Sequence, residues 1–134
     1  MASEVLDRRK RQRDALIARA AEYAETLCAR VPLIRVTVAG SVARGDFNVW
    51  SDVDVVVVAS DLPARAPERG ALLLAGAPAR VQPIGFTPEE HAEQLRRGNR
   101  LVVEAAELGV VVWSSGEESP PRASASIRPA ERGA

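Results

Sequence analysis

The sequence predicts an α/β (α+β) domain, with about four strands packed against helices and a long N-terminal helix leading the chain. Three observations carry this. Leu16, Ala20, Tyr23 and Leu27 recur at helical spacing within residues 3–30, joined by Ile17, Ala24 and Cys28. Two β-branched runs follow, LIRVTVA from Leu33 to Ala39 and DVDVVVV from Asp52 to Val58, too short and too branched for helices. Beyond them, capped helical segments alternate with short apolar runs up to Trp113.

Each element has a local reason. Ser3 can cap the first helix, with Glu4 near its positive end. Its first third, DRRKRQRD, is nearly all charged; Glu4 with Arg8 and Asp7 with Arg11 sit four apart and support one another. The basic cluster Arg8 to Arg13 reads as a solvated helix end in preference to a contact for RNA or an acidic partner. Pro32 separates the helix from the first strand, which Gly40 ends. A loop with two prolines leads to a helix at 67–75, stopped by Gly76 and Pro78. Arg80 to Phe86 is a third strand, and Pro83 assigns it to a sheet edge or an irregularity. Thr87-Pro88-Glu89-Glu90 has the form of a capping box with proline at the first helical position. That helix runs to Arg97 and stops at Gly98. Asn99 caps the next, whose Leu101, Val102, Ala105 and Leu108 share a face. Gly109 ends it, and Val110 to Trp113 form the last strand. His91, the only histidine, reads as a surface residue on a polar helix.

Composition narrows the function classes. The chain has 134 residues, 46% of them hydrophobic, which fits one domain over 1–113. Residues 114–134, rich in Ser, Pro, Ala and charge without apolar periodicity, read as a disordered tail. The formal net charge is zero, so the molecule has no general attraction for nucleic acid or an anionic membrane. No signal peptide and no apolar run of about 18 residues is present, which predicts a soluble cytoplasmic protein. The single Cys28 excludes an internal disulfide and a cysteine-rich metal site, and it reads as a packing residue.

The chemistry concentrates in residues 40–58, GSVARGDFNVWSDVDVVVV. On a strand Asp52 and Asp54 point to one face, their Cα atoms roughly 7 Å apart. Two such charges at the head of a valine-rich strand repel, so a cation is expected beside them. Arg44 can serve, but a divalent metal fits better, because Mg²⁺ takes one or two carboxylates together with substrate phosphates. Gly40 permits a sharp turn and close approach of a ligand. Ser41 can cap a short helix at 42–45 or offer its hydroxyl and N–H to a phosphate, with Arg44 one turn later. The ten residues between Ser41 and Asp52 return the chain to a neighbouring strand, bringing phosphate donors and metal ligands to one end of the sheet.

The pattern of Gly40, Ser41, ten residues, Asp52, one residue, Asp54 resembles the signature of the DNA polymerase β-like nucleotidyltransferase superfamily. GSVARGD followed by SDVDVVVV looks like the minimal nucleotidyltransferases, or MNT proteins. The motif covers 19 residues, and the element order extends the resemblance across roughly 30–113. The resemblance implies a nucleotidyltransferase fold with a small mixed sheet. It implies that Gly40 and Ser41, assisted by Arg44, hold the phosphates of a nucleoside triphosphate, ATP above all. Asp52 and Asp54 would be the catalytic carboxylates and the ligands of one or two Mg²⁺. An acceptor hydroxyl would take the nucleotidyl (AMP) group and pyrophosphate would leave. MNT proteins often act beside a helical HEPN ribonuclease as a toxin–antitoxin pair, in some systems transferring AMP to a tyrosine. The resemblance therefore implies a HEPN-type partner.

One position departs from the pattern. Active members usually carry a third carboxylate on a later strand, expected here within 80–86, where Gln82 stands. An amide cannot take a proton near neutral pH, and loss of a general base costs about 10²–10⁴ in rate. The alternative reading is therefore a catalytically degenerate antitoxin or regulatory subunit that binds nucleotide or protein. Glu104 or Asp46 reaching the site, with Gln82 far away, would favour the enzyme. Arg44 bridged to both aspartates would favour the binding module.

Overall fold

The computed structural model describes residues 2–48 and 50–116. In chain order the elements are α1 (Ala2–Leu27), β1 (Leu33–Ala39), α2 (Gly40–Arg44), β2 (Val53–Ala59), α3 (Ala66–Leu74), β3 (Val81–Phe86), α4 (Pro88–Arg96), α5 (Arg100–Leu108) and β4 (Val110–Ser114). The strands form one mixed sheet in the order β3-β2-β1-β4. β1 runs antiparallel to β2 and β4, and β2 runs parallel to β3. Pro83 lies on β3, an edge strand, where a missing N–H is tolerated.

Helices cover both faces. On one, Leu16, Ala20, Tyr23, Ala24 and Leu27 of α1 and Leu73 of α3 pack on Val36, Val38, Val53, Val55 and Val57. On the other, Val102 and Ala105 of α5 pack with Ala39, Val56 and Phe86. β2 is buried on both sides, which is why its valines run without alternation. The strand's polar entrance, Asp52 and Asp54, is thereby left at the end of the sheet.

Several local expectations change. The first helix already includes Ser3, so Ser3 is not its cap, and it ends at Leu27 with residues 28–30 in a turn. Cys28 is half-buried against the core, its thiol donating to the Glu25 carbonyl at 3.1 Å. Leu108 is 54% exposed, because α5 ends there before its face can meet the sheet. His91 is half-buried, edge-on to Phe86 with ring centroids 6.3 Å apart. Burial, and then the charge of Arg35, hold its pKa below the usual histidine value. The Thr87 capping box and the Asn99 cap form, with Asn99 Oδ1 accepting from Val102 N–H at 3.2 Å. The last strand includes Ser114, one residue beyond its expected end at Trp113; residues 117–134 of the expected tail lie outside the described residues.

One buried polar contact ties α1 to α3. The Tyr23 hydroxyl donates to the Leu73 carbonyl at 2.7 Å, satisfying a carbonyl at the helix end that has no partner within the helix. Burial pushes the Tyr23 pKa up to about 12, with Arg30 opposing, so the phenol keeps its proton through the neutral range. Tyr23→Phe is expected to lower stability by about 1–2 kcal/mol, because the carbonyl loses its donor in a dry site. Thermal unfolding should show a fall of roughly 4–8 °C in Tm.

Candidate active site

The site is built where β1 ends and β2 begins. Ala39 and Asp54 are register partners across the antiparallel pair, so the residue before Gly40 lies directly opposite Asp54. Gly40 enters α2 with φ of +68°, a conformation that glycine adopts at little cost. A Cβ at this position would lie 3.2 Å from Asp54 Cγ and closer still to Oδ2. The backbone of the turn therefore rests directly on the carboxylate. Gly45 closes α2 in the left-handed conformation, its N–H donating to the Ser41 carbonyl at 2.8 Å. Ser41 lies within α2, and the N-cap position belongs to Ala39 without a side-chain bond, so the expected capping role of Ser41 is not realised.

Arginines of α1 hold this turn from below. Arg13 donates from Nε to the Val42 carbonyl at 2.8 Å and from Nη2 to the Ala43 carbonyl at 3.0 Å. Arg9 donates from Nη2 to the carbonyls of Gly45 at 3.0 Å and Phe47 at 2.6 Å, and its guanidinium stacks 4.3 Å from the Phe47 ring centroid. Two members of the basic cluster are thus structural, which corrects its reading as a solvated end or a nucleic-acid contact. A signal for this was available: positions 9 and 13 continue the helical spacing of Leu16 and Ala20.

Arg80 does the same for the strand entrance. Its Nη2 donates to the Ser51 carbonyl, and its own carbonyl accepts from the Val53 N–H at 2.7 Å. Asp52 is bracketed between these two anchors and is exposed. Asp54 is half-buried two residues on, on the α5 side of the sheet. A pocket of about 330 Å³ opens beside it, lined by Gly40, Ser41, Arg44, Asp54, Arg100, Leu101 and Glu104.

Burial, and then the neighbouring Asp52 charge, push the Asp54 carboxyl above its ordinary value of 3.8, with Arg44 opposing. Arg44 makes no bridge to both aspartates; it pairs through Nε with Asp46 at 3.1 Å and through Nη1 with Glu104 at 2.9 Å. Those partners, Asp46 first, raise its own pKa. Gln82 is the register partner of Asp54 across the parallel pair and is exposed. Of the two acids considered for the site, Glu104 lines the pocket.

A family model described as a nucleotidyltransferase domain matches residues 20–109, which include the Gly40 turn, Asp52, Asp54 and every residue lining the pocket, though not Arg9 and Arg13. The chain belongs to that family. A solved structure from Sulfolobus solfataricus, described as a candidate nucleotidyltransferase, superposes with a TM-score of 0.63 over 81% of this chain and 89% of that one. At 21% identity it shows the shared fold. The curated proteins contain no match to the chain.

The nucleotidyltransferase domain thus has its expected fold, with four mixed strands and a long first helix. Its donor set suits a hard divalent cation shared with a ligand. Asp52 and Asp54 offer carboxylate oxygens, and Gln82 offers at most a neutral amide oxygen. Among the described residues no group of three or more His, Cys, Asp and Glu side chains gathers to hold an ion. Further ligands would have to come from substrate phosphates and water, the usual habit of Mg²⁺.

The raised Asp54 pKa has two consequences. A cation held by Asp54 would need the ionised carboxylate, so its binding would fade on acidification at a higher pH than for an ordinary aspartate. The fold also disfavours this charge: the penalty is present at neutral pH, fades as pH falls through the raised value, and is gone only below 3.8, where folded and unfolded forms are both protonated. Asp54→Asn in metal-free buffer should therefore raise Tm at pH 7, by on the order of 1–3 °C for a partly solvated group. The gain should shrink as the melts are repeated towards pH 4.

Proposed function

We propose that this nucleotidyltransferase domain binds Mg²⁺ with a nucleoside triphosphate, ATP first, and transfers AMP to a hydroxyl of a partner protein. One observation carries the proposal. The Gly40 turn rests against Asp54 beside a pocket that also holds Ser41 and Arg44, so groups able to donate to a phosphate lie beside a carboxylate. In this reading Gly40 and Ser41 hold the phosphates with help from Arg44. Asp52 and Asp54 would hold the cation, which would supply charge neutralisation and polarisation of the phosphoryl group. The acceptor oxygen bonds to the α-phosphorus, the bond to the bridging oxygen breaks, and pyrophosphate departs. The acceptor proton goes to a base other than Gln82, whose amide cannot take it.

The resemblance of GSVARGD and SDVDVVVV to MNT proteins supports a HEPN-type partner, with a tyrosine as acceptor and a toxin–antitoxin pairing. No helix among the described residues is long and apolar enough to cross a membrane. We place the reaction in the cytoplasm, where ATP is at hand.

Gln82, directly beside Asp54 in register, favours a second reading. There the same site binds nucleotide, or a protein partner, without turnover. Calorimetric titration of the full chain with ATP, with and without Mg²⁺, tests the shared element. Binding that requires Mg²⁺ is expected, and no binding in either condition would overturn the nucleotide site. Labelled ATP then separates the two readings: label on a co-purified partner supports transfer, and tight binding without label on any protein supports the second.

A further inference from the structure

The motif accounts for only one wall of the pocket; α5 supplies the other. Arg100 and Glu104 lie one turn apart on that helix and both line the pocket with Gly40, Ser41, Arg44 and Asp54. Glu104 Oε1 is 2.9 Å from Arg44 Nη1, and Glu104 Oε2 is 3.8 Å from Arg100 Nε. A single carboxylate therefore spans two guanidinium groups. The Glu104 side chain is 21% exposed, against 63% for Asp46, the other acid on Arg44. It is the better shielded of the two, so salt screens its pairing with Arg44 less. Arg100 is 89% exposed, and among the described residues its ion pair is this longer contact.

A carboxylate and a phosphate offer a guanidinium the same pair of oxygens in the same fork. Resting on the nucleotide reading above, we propose that Arg100 is a phosphate-binding residue and that Glu104 is a built-in competing anion. The triphosphate of the nucleotide displaces Glu104 from Arg44 and Arg100. In the free protein Glu104 keeps the two arginines oriented and offsets their charge. In the loaded protein its place on them passes to phosphate oxygens. Affinity is thereby held below what the two arginines alone would give.

The direction of one substitution separates this from a supporting role. The full chain is titrated calorimetrically with ATP in excess Mg²⁺ as wild type, Glu104→Gln, Arg100→Gln and the double variant. Glu104→Gln should bind about threefold to tenfold more tightly, and Arg100→Gln more weakly by a similar factor. In the double variant, removing Glu104 should bring a smaller gain, because one of the two arginines it occupies has gone. Arg100 is so exposed that its variant keeps the fold. Equal or weaker binding by a folded Glu104→Gln would make Glu104 a positioning residue for Arg44 and overturn the proposal, leaving the nucleotide site standing. Unchanged binding by Arg100→Gln would overturn the role given to Arg100. Absence of Mg²⁺-dependent binding in wild type and all variants would overturn the nucleotide reading itself, and this inference with it.

Discussion

Replacing Asp52 and Asp54 together by asparagine is expected to abolish Mg²⁺-dependent nucleotide binding, with a loss of at least about a hundredfold in affinity and the fold retained. The two carboxylates are the anionic groups at the strand entrance, and Asp54 is pressed against the Gly40 turn. Asparagine keeps the size and some hydrogen bonding but removes both charges, so a divalent ion loses its hard anionic ligands. A hundredfold corresponds to about 2.7 kcal/mol, less than the loss of two charge partners should bring. Stability should not fall, since the fold disfavours the Asp54 charge in the first place. Calorimetry with ATP and Mg²⁺, beside thermal melts of the same samples, reads both halves. A folded double variant that binds as wild type does would show that these residues do not hold the ion.

The second large effect is expected at Gly40. Gly40→Ala places a methyl group against the Asp54 carboxyl and forces a side-chain-bearing residue to φ of +68°. Left-handed backbone costs roughly 1–2 kcal/mol and overpacking typically about 1–3, so a loss of about 2–5 kcal/mol is expected. Nucleotide binding should fail as well, because Asp54 must move to make room. Gly45→Ala is the control. It has φ of +92° but nothing within 4 Å of an added Cβ, so it carries the backbone strain alone. It should lose about 1–2 kcal/mol and still bind. Equal stability and binding in wild type and Gly40→Ala would mean that the turn does not rest on the carboxylate as described.

The fold was legible wherever one segment decided its own structure. The valine run, the Thr87 capping box and the Asn99 cap each depend on neighbours in sequence, and each forms as read. The juxtaposition of Gly40 and Asp54 was also legible, because ten residues between two strands leave few places to go. What escaped were contacts between distant segments. The carbonyls that Arg9 and Arg13 satisfy lie from 29 to 38 residues away. Only the folded chain shows that these arginines support the turn of the site. Glu104 is a similar case: nothing near it in sequence indicates that Arg44, 60 residues earlier, will be its partner. Leu108 failed for a different reason, since periodicity says which side of a helix is apolar but not how far the neighbouring sheet extends.

The uninterrupted valines of β2 pose a problem of alignment during folding. Val53, Val55 and Val57 face α1, while Val56 lies under α5, so both sides of the strand are equally greasy. Sliding β2 by one residue against β1 would exchange the two sides and sacrifice little apolar burial. Asp54 breaks that near-degeneracy. In the observed pairing its carboxyl sits at the pocket; after a one-residue slip it would face the interior beneath α1, where an unpaired charge is very costly. The acid at the pocket therefore also indexes the strand, and misaligned chains are penalised before any ligand is present.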